Sequence, residues 1–467
     1  MGAIGIAVKK LCPCPFSRSG SIATMHRPDT HVRPPCRGST PLAQLNPRQR
    51  EAVHYIDGPC LVLAGAGSGK TSVITRKIAY LVEECGMAAR NIAALTFTNK
   101  AAREMKERVS SLLKGKANAK GLTVSTFHNL GLNIIRKEHK VLGFKPGFSI
   151  FDSDDARLLL KELMLKDNEL DSDHLDLVQN QISNWKNDLT SPESAASYAA
   201  SPAEEKIALV YKRYNEALRA YNAVDFDDLI LIPATLFQTQ AEVLKRWQHK
   251  IRYLLVDEYQ DTNTSQYLLV KLLIGDRGSL TVVGDDDQSI YAWRGARPEN
   301  LSQLKTDFPS LRLIKLEQNY RSTSRILRTA NHLIAHNPHE FDKALWSDMG
   351  LGEKIRVVRC TNEDGEAERV ATEILHQRLK RQIKFSDFAV LYRGNHQSRL
   401  LEIKLQQQRE EAARKKETRA KIILGGFLVA HAKKGEQRFI ELFDQAMSEA
   451  SERDQKTLME YRKIVDG

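Results

Sequence analysis

From residue 44 onward, short apolar runs alternate with longer amphipathic stretches. Residues 60–63, 92–96, 254–256 and 280–283 are almost wholly apolar, in runs of three to five. A strand covered on both faces needs such a continuous run, whereas a strand with one wet face alternates. Helical periodicity fills the intervals, so the pattern predicts a parallel α/β sheet. Between Asp152 and Tyr221 the texture turns helical and polar, with Trp185 and Tyr214 as packing aromatics, and a helical insertion is expected over about 125–220. Past Pro309, three further strand-like runs at 311–316, 354–360 and 388–392 read as the opening of a second α/β unit. Residues 405–419 and 439–465 read as charged and amphipathic helices, broken by Gly425, Gly426 and Gly435. Residues 1–43 carry neither period and read as a disordered extension rich in Pro, Ser, Arg and Cys.

The 467 residues leave room for about three domains. A hydrophobic fraction of 42% excludes fibrous and fully disordered classes, and six cysteines are too few for a disulfide scaffold. No apolar run reaches the roughly 18 residues of a membrane span, so no membrane partner is expected. The apolar stretch 3–8 is too short for a signal core and precedes its lysines, so the expected location is cytoplasmic with reduced thiols. Met25 is a second candidate start. Cys12, Cys14, Cys36, His26 and His31 match no common zinc spacing. The net charge of +12 points to an anionic partner. Residues 1–43 hold six bases against one acid and residues 403–467 fourteen against eleven, which leaves only +4 for the 359 residues between. A nucleic-acid surface in the middle of the chain must therefore rest on the placement of individual groups.

The first motif with chemistry is Ala64-Gly65-Ala66-Gly67-Ser68-Gly69-Lys70-Thr71, between an apolar run and a helical stretch. Its glycines let backbone N–H groups close on phosphates, and the following helix N-terminus favours negative charge. Lys70 is placed to reach the β- and γ-phosphates and the Thr71 hydroxyl to ligate Mg²⁺; Ala64 stands where the general pattern has glycine. The run 254–256 ends in Asp257-Glu258, which places one carboxylate near Mg²⁺ and one where it polarises a water. Together the two motifs indicate NTP hydrolysis and exclude kinase and small-GTPase readings.

Gln49, the phosphate loop, Thr96-Phe97-Thr98-Asn99-Lys100, Ser125-Thr-Phe127-His128, Asp257-Glu-Tyr-Gln-Asp261, Gly284-Asp-Asp-Asp-Gln288 through Trp293-Arg294, and Gln318-Asn-Tyr320-Arg321 occur in that order. Over residues 44–402 the sequence resembles the UvrD/Rep family of superfamily 1 DNA helicases. The resemblance implies a P-loop NTPase (RecA-like) motor at 44–320 and a partial second motor domain at 321–402, followed by a helical basic tail at 403–467. ATP and Mg²⁺ are its implied cofactors. Single-stranded DNA and 3′-tailed duplex are the implied partners, with 3′-to-5′ translocation. By resemblance, Gln49 reads the adenine edge, Tyr320 stacks near the base and Gln288 senses the γ-phosphate. Arg321 reaches that phosphate from the second domain, and Arg294 links the acidic motif to the DNA site. Phe97, Phe127, Tyr291 and Trp293 are candidate stacking platforms; Thr98, Asn99, Lys100 and His128 are candidate phosphate or sugar contacts. Taken from the residues alone, Phe97 and Phe127 are more often core than platform, and His128 serves equally as a structural histidine.

The resemblance is expected to end near Glu402, before the remainder of the second motor domain and its later motifs. The stretch from Leu405 resembles the small TraD-like accessory proteins of plasmid mobilisation, which adds replication or plasmid-transfer proteins as candidate partners. A complete motor steps by closing two domains, so impaired unwinding is expected. Two other readings stay open: a catalytically silent DNA-binding or mobilisation adaptor, and a non-functional remnant.

Overall fold

The computed structural model describes residues 5–8, 45–113, 119–167, 174–392 and 394–408. Contacts divide the described residues into two compact units, a larger one of residues 45–355 and a smaller one of residues 5–8 with 356–408. The strands in chain order are β1 (Gly5–Val8), β2 (Cys60–Ala64), β3 (Ile92–Thr96), β4 (Thr123–Thr126), β5 (Ser149–Ile150), β6 (Ala223–Val224), β7 (Tyr253–Val256), β8 (Leu280–Gly284), β9 (Arg312–Leu316) and β10 (Phe388–Leu391).

The larger unit is built on a six-stranded sheet in the order β4-β3-β7-β8-β2-β9, every pair parallel. The strands are apolar throughout because both faces are covered. Leu61, Leu63, Ala93, Leu95, Leu254, Val256, Leu280 and Val282 pack under one layer with Phe127, Phe237, Trp247 and Leu269. The alternate residues Cys60, Val62, Ala64, Ile92, Ala94, Tyr253, Leu255 and Val283 pack under the other with Val73, Ile78, Met105 and Val109. This is the period-2 consequence of the pleat. Two helices of the first layer approach very closely at Gly131, where a Cβ would stand 1.7 Å from the carbonyl oxygen of Leu229. Only glycine fits there.

Three expectations need correction. The run at 311–316 does not open a second unit; β9 pairs with β2 from Cys60↔Arg312 to Ala64↔Leu316 and forms an edge of the first sheet. Its Ile314 and Leu316 fill a core that β2 leaves uncovered on that side. The opposite edge strand, β4, straddles the start of the span expected to be helical and went unidentified, because its residues Thr-Val-Ser-Thr carry little apolar signal. The run 354–360 forms no strand, and Val357 is 93% exposed. Its alternation alone does not supply a neighbouring strand to bond with.

The larger unit also extends past Arg321 to Ile355. Gln318 bridges to Trp346, the Ser324 N–H donates to the Gly350 carbonyl, and the Leu345 side chain lies against Gly65. These contacts tie 321–355 to the six-stranded sheet.

The expected helical insertion is present. Helices Ser153–Asp167, Leu175–Asn187, Pro192–Ser197 and Pro202–Ala220 enclose a core of Leu160, Val178, Ile182, Tyr211 and Tyr214. Trp185 stacks on Tyr211 at 5.8 Å. Below them Lys186 is fully buried between Asp225 (2.7 Å) and Asp228 (2.8 Å), and the Tyr214 hydroxyl donates to Asp225. Of the smaller unit, β10 pairs antiparallel with β1, which lies in a segment read as disordered. Helix Glu363–Arg381 and the helix at 398–408 pack through Ala367, Val370, Ile374 and Leu401. The remainder of the N-terminal extension and the tail from 409 lie outside the described residues.

Removing one side of a buried ion cluster strands the other. Lys186→Met is expected to lose about 3–5 kcal/mol in urea unfolding followed by circular dichroism. Adding Asp225→Asn and Asp228→Asn should recover a large part of that loss.

Candidate nucleotide and nucleic-acid site

In a parallel sheet all strands end on one side, so β2, β3, β4, β7, β8 and β9 deliver the motif residues to a common edge. The loop from Gly65 follows β2 and enters helix Lys70–Glu83. Gly69, the residue before the helix, has φ +92°, and a Cβ there would meet Gln49 Nε2 at 2.7 Å. Lys70 stands at the first turn, and its Nζ lies 2.9 Å from Glu258 Oε2. Ser68 is buried, its hydroxyl donating to the Gly65 carbonyl at 2.8 Å.

Asp257 and Glu258 follow β7. The Asp257 N–H donates to the Leu95 carbonyl at 2.9 Å, which extends the ladder by one residue and fixes the carboxylate at the strand end. Asp257 is 6% exposed, and burial, with the Glu258 charge beside it, pushes its pKa up to about 7. Glu258 has φ +52°, a left-handed conformation that costs a non-glycine residue about 1–2 kcal/mol. The strain turns its side chain toward Lys70. Gln260 Nε2 donates to Glu258 Oε2 at 3.0 Å while its Oε1 accepts from the Asp285 N–H at 3.0 Å, joining the ends of β7 and β8. Hydroxyl and carboxylate oxygens such as those of Thr71 and Asp257 form the hard donor set that suits Mg²⁺.

Gln49 lies on helix Pro47–His54. Its backbone N–H is capped by Asn46, and its side chain donates to the Ser68 carbonyl at 2.8 Å. The segment after β9 closes on the same loop. The Tyr320 N–H donates to the Gly67 carbonyl at 2.9 Å, and Asn319 Nδ2 donates to that of Ala66. Asn319 Oδ1 in turn accepts from the N–H groups of Arg321 and Ser322. A Cβ on Gly67 would meet Arg321 Cβ at 2.8 Å. Arg321 thus belongs to the same compact unit as the loop, where the sequence reading had it arriving from a second domain. The Tyr320 ring is half-exposed, its hydroxyl held between Asn46 and Gln318.

After β8, Gln288 Nε2 donates to Asp285. Lys343 Nζ pairs with Asp285 at 2.8 Å, with Asp287 at 2.7 Å and with Asp286. Lys343 escaped sequence reasoning because it lies more than fifty residues downstream in a stretch with no period. Gln260 and Asn319 lie within the sequence motifs, where their residue types alone assign them no role.

The nucleic-acid candidates separate into two groups. Trp293 is 71% exposed, Tyr291 is exposed beside it, and the Arg294 guanidinium lies 4.4 Å and 5.6 Å from their ring centroids. Phe127 is 1% exposed and belongs to the core, with the half-buried Phe97 ring 5.7 Å away. Phe127 is therefore not a platform. Burial pushes the His128 pKa down, and its ring meets the Phe226 ring edge-on. Thr98 caps helix Asn99–Leu112, Asn99 accepts from Asn129, and Lys100 is exposed on the first turn. Arg294 stays on the aromatic rings. The contact with the acidic loop is made by Arg297, whose N–H donates to the Thr262 carbonyl and whose guanidinium pairs with Asp188 of the insertion at 2.8 Å.

Two family models match the sequence: the UvrD/REP helicase N-terminal domain over residues 45–309 and the UvrD-like helicase C-terminal domain over residues 314–441. The second runs past Glu402 into the segment set apart as a tail. The chain is 58% identical over 366 residues to the ATP-dependent DNA helicase Rep of Escherichia coli strain K12, covering 78% of this chain and 54% of that one. It is 49% identical over 358 residues to Rep of Buchnera aphidicola subsp. Schizaphis graminum, covering 77% and 54%. To the ATP-dependent DNA helicase PcrA of Leuconostoc citreum it is 44% identical over 360 residues, covering 77% and 48%. The chain spans about half the length of these relatives.

The raised pKa of Asp257 fixes a pH dependence. A divalent ion needs the carboxylate, so its affinity in the presence of ATP should fall about tenfold per unit below pH 7 and level off above it. Asp257→Asn should flatten that profile in a metal titration. A carboxyl whose folded pKa is raised costs stability that grows as pH rises from the unfolded value near 4 to the folded value near 7. The same variant should accordingly melt higher than the parent at pH 8, measured without metal or nucleotide.

Proposed function

This chain belongs to the UvrD/REP helicase family, and from that premise we propose that it binds ATP with Mg²⁺ and hydrolyses it to ADP and phosphate in response to single-stranded DNA, as a motor of the 3′-to-5′ DNA helicase type. The observation that carries the reading is the Lys70–Glu258 ion pair at the end of a sheet that also presents a buried, near-neutral Asp257. A phosphate-seeking cation, a metal-seeking carboxylate and a second, more exposed carboxylate stand together at one edge.

The loop N–H groups and the N-terminus of helix Lys70–Glu83 hold the phosphates. Lys70 exchanges Glu258 for phosphate oxygens and thereby frees Glu258 to accept a proton from the attacking water. Thr71 and Asp257 hold Mg²⁺, which when bound neutralises charge on the transferred group. Gln288 and Arg321 face the outermost phosphate, Gln49 reads the adenine and Tyr320 stacks beside it. Trp293 and Tyr291 offer ring faces to bases, with Lys100 on the backbone. The substrates are single-stranded DNA and 3′-tailed duplex. Proteins of replication or plasmid transfer are the partner class, and a cytoplasmic location suits all of them; no described helix is long and apolar enough to cross a membrane.

Phosphate release with and without single-stranded DNA tests the reading. Release by the parent chain should rise with DNA, and Lys70→Ala should lower it by about 100-fold or more. No DNA-stimulated release by the parent contradicts the proposal. Trp293→Ala should weaken single-strand binding by roughly 5- to 140-fold in fluorescence anisotropy, the equivalent of about 1–3 kcal/mol of stacking.

A further inference from the structure

Lys77 is 0% exposed, yet among the described residues no carboxylate pairs with it. Its ammonium donates to the Ala52 carbonyl at 2.9 Å and to the Tyr55 carbonyl at 2.5 Å, and lies 5.6 Å from the centroid of the Tyr253 ring. Burial pushes its pKa down to about 8. A buried charge normally finds an opposite charge, because unpaired burial is costly. Here the negative pole is the C-terminal end of helix Pro47–His54, whose last carbonyls lack helical partners and carry the negative end of the helix dipole.

The two helices that Lys77 joins have distinct duties. Lys77 lies on helix Lys70–Glu83 seven residues after Lys70, about 10 Å along the same face. The helix it grips carries Gln49, whose side chain rests on the Ser68 carbonyl of the phosphate loop. Helix Pro47–His54 is only eight residues long and too short to be stable by itself. It is held at its start by the Asn46 cap and Gln49, and at its end by Lys77. Ala52 and Val53 pack the short helix against Val73, Ile74 and Ile78 of the phosphate-binding helix, and Lys77 adds the polar link that holds its C-terminal end.

We propose that Lys77 is a positioning residue for nucleobase recognition, which fixes Gln49 relative to the phosphate loop without touching the nucleotide. The proposal rests on the reading of Gln49 as the adenine contact. Met at this position keeps the unbranched stem and removes the ammonium; Arg keeps charge and donors. A merely structural lysine would lower stability and affect all nucleotides alike. A positioning lysine alters the preference among bases.

The test is equilibrium binding of ribose-labelled fluorescent ATP and GTP to the full chain with Mg²⁺, on the parent, Lys77→Met, Lys77→Arg and Gln49→Ala. The parent should prefer ATP. Lys77→Met should reduce the ATP-to-GTP affinity ratio by about fivefold or more with GTP affinity within twofold of the parent, Lys77→Arg should restore it, and Lys77→Met should add nothing in a Gln49→Ala background. A ratio unchanged in Lys77→Met, or equal loss for both nucleotides, overturns the proposal. If Gln49→Ala keeps the parent ratio, the reading of Gln49 fails instead, and no binding of either nucleotide by the parent contradicts the proposed function. Should Lys77→Met fail to give a cooperative melt, Lys77→Gln, with fewer donors and a shorter reach, carries the same comparison.

Discussion

The parallel direction of six strands is the constraint on which the rest depends. Because every strand runs the same way, the chain must return over a face of the sheet after each one, and each return begins at the same edge. The phosphate loop after β2, Phe97 after β3, Phe127 after β4, Asp257 after β7, Asp285 after β8 and Gln318–Arg321 after β9 are neighbours for that reason alone. Apolar residues on both faces pin the register, since a one-residue slip would exchange the two cores.

At that edge the electrostatics are arranged around incomplete neutralisation. Glu258 has Lys70 and Gln260, and Asp285, Asp286 and Asp287 share Lys343. Asp257 is left buried with a carboxylate beside it and is driven toward its neutral form. Stability there is given up for chemistry, as the left-handed Glu258 also indicates. Away from the edge, the two buried lysines are answered in different ways. Lys186 has two carboxylates, and Lys77 has two carbonyls at a helix terminus.

Much of this was legible in the sequence, and the reasons are specific. Continuous apolar runs identify β2, β3, β7 and β8 because they are central strands. The edge strands β4 and β9 were misplaced: Thr-Val-Ser-Thr has too little apolar content, and Arg-Leu-Ile-Lys-Leu alternates as a strand of any sheet does. Gln49 and Lys70 lie at the phosphate loop, and Arg321 stands beside Gly67 from within the same unit, a position the motif order did not give. Phe127 was not separable from Phe97 by sequence, because both follow strand ends; only helix Phe127–Glu138 turning inward buries it. Lys343, Arg297 and Lys77 gave no signal, since a lone base in a charged chain reads as solvated until its neighbours are known.

The central claim is that nucleotide and single-stranded DNA act on one rigid strand edge and so alter each other's binding. The direct measurement is the affinity of the chain for a fluorescent single strand with and without Mg²⁺ and a non-hydrolysable ATP analogue, together with the reverse titration. The account predicts a change in DNA affinity on adding nucleotide and an equal factor in nucleotide affinity on adding DNA. Tight binding of both with neither affected by the other would contradict it.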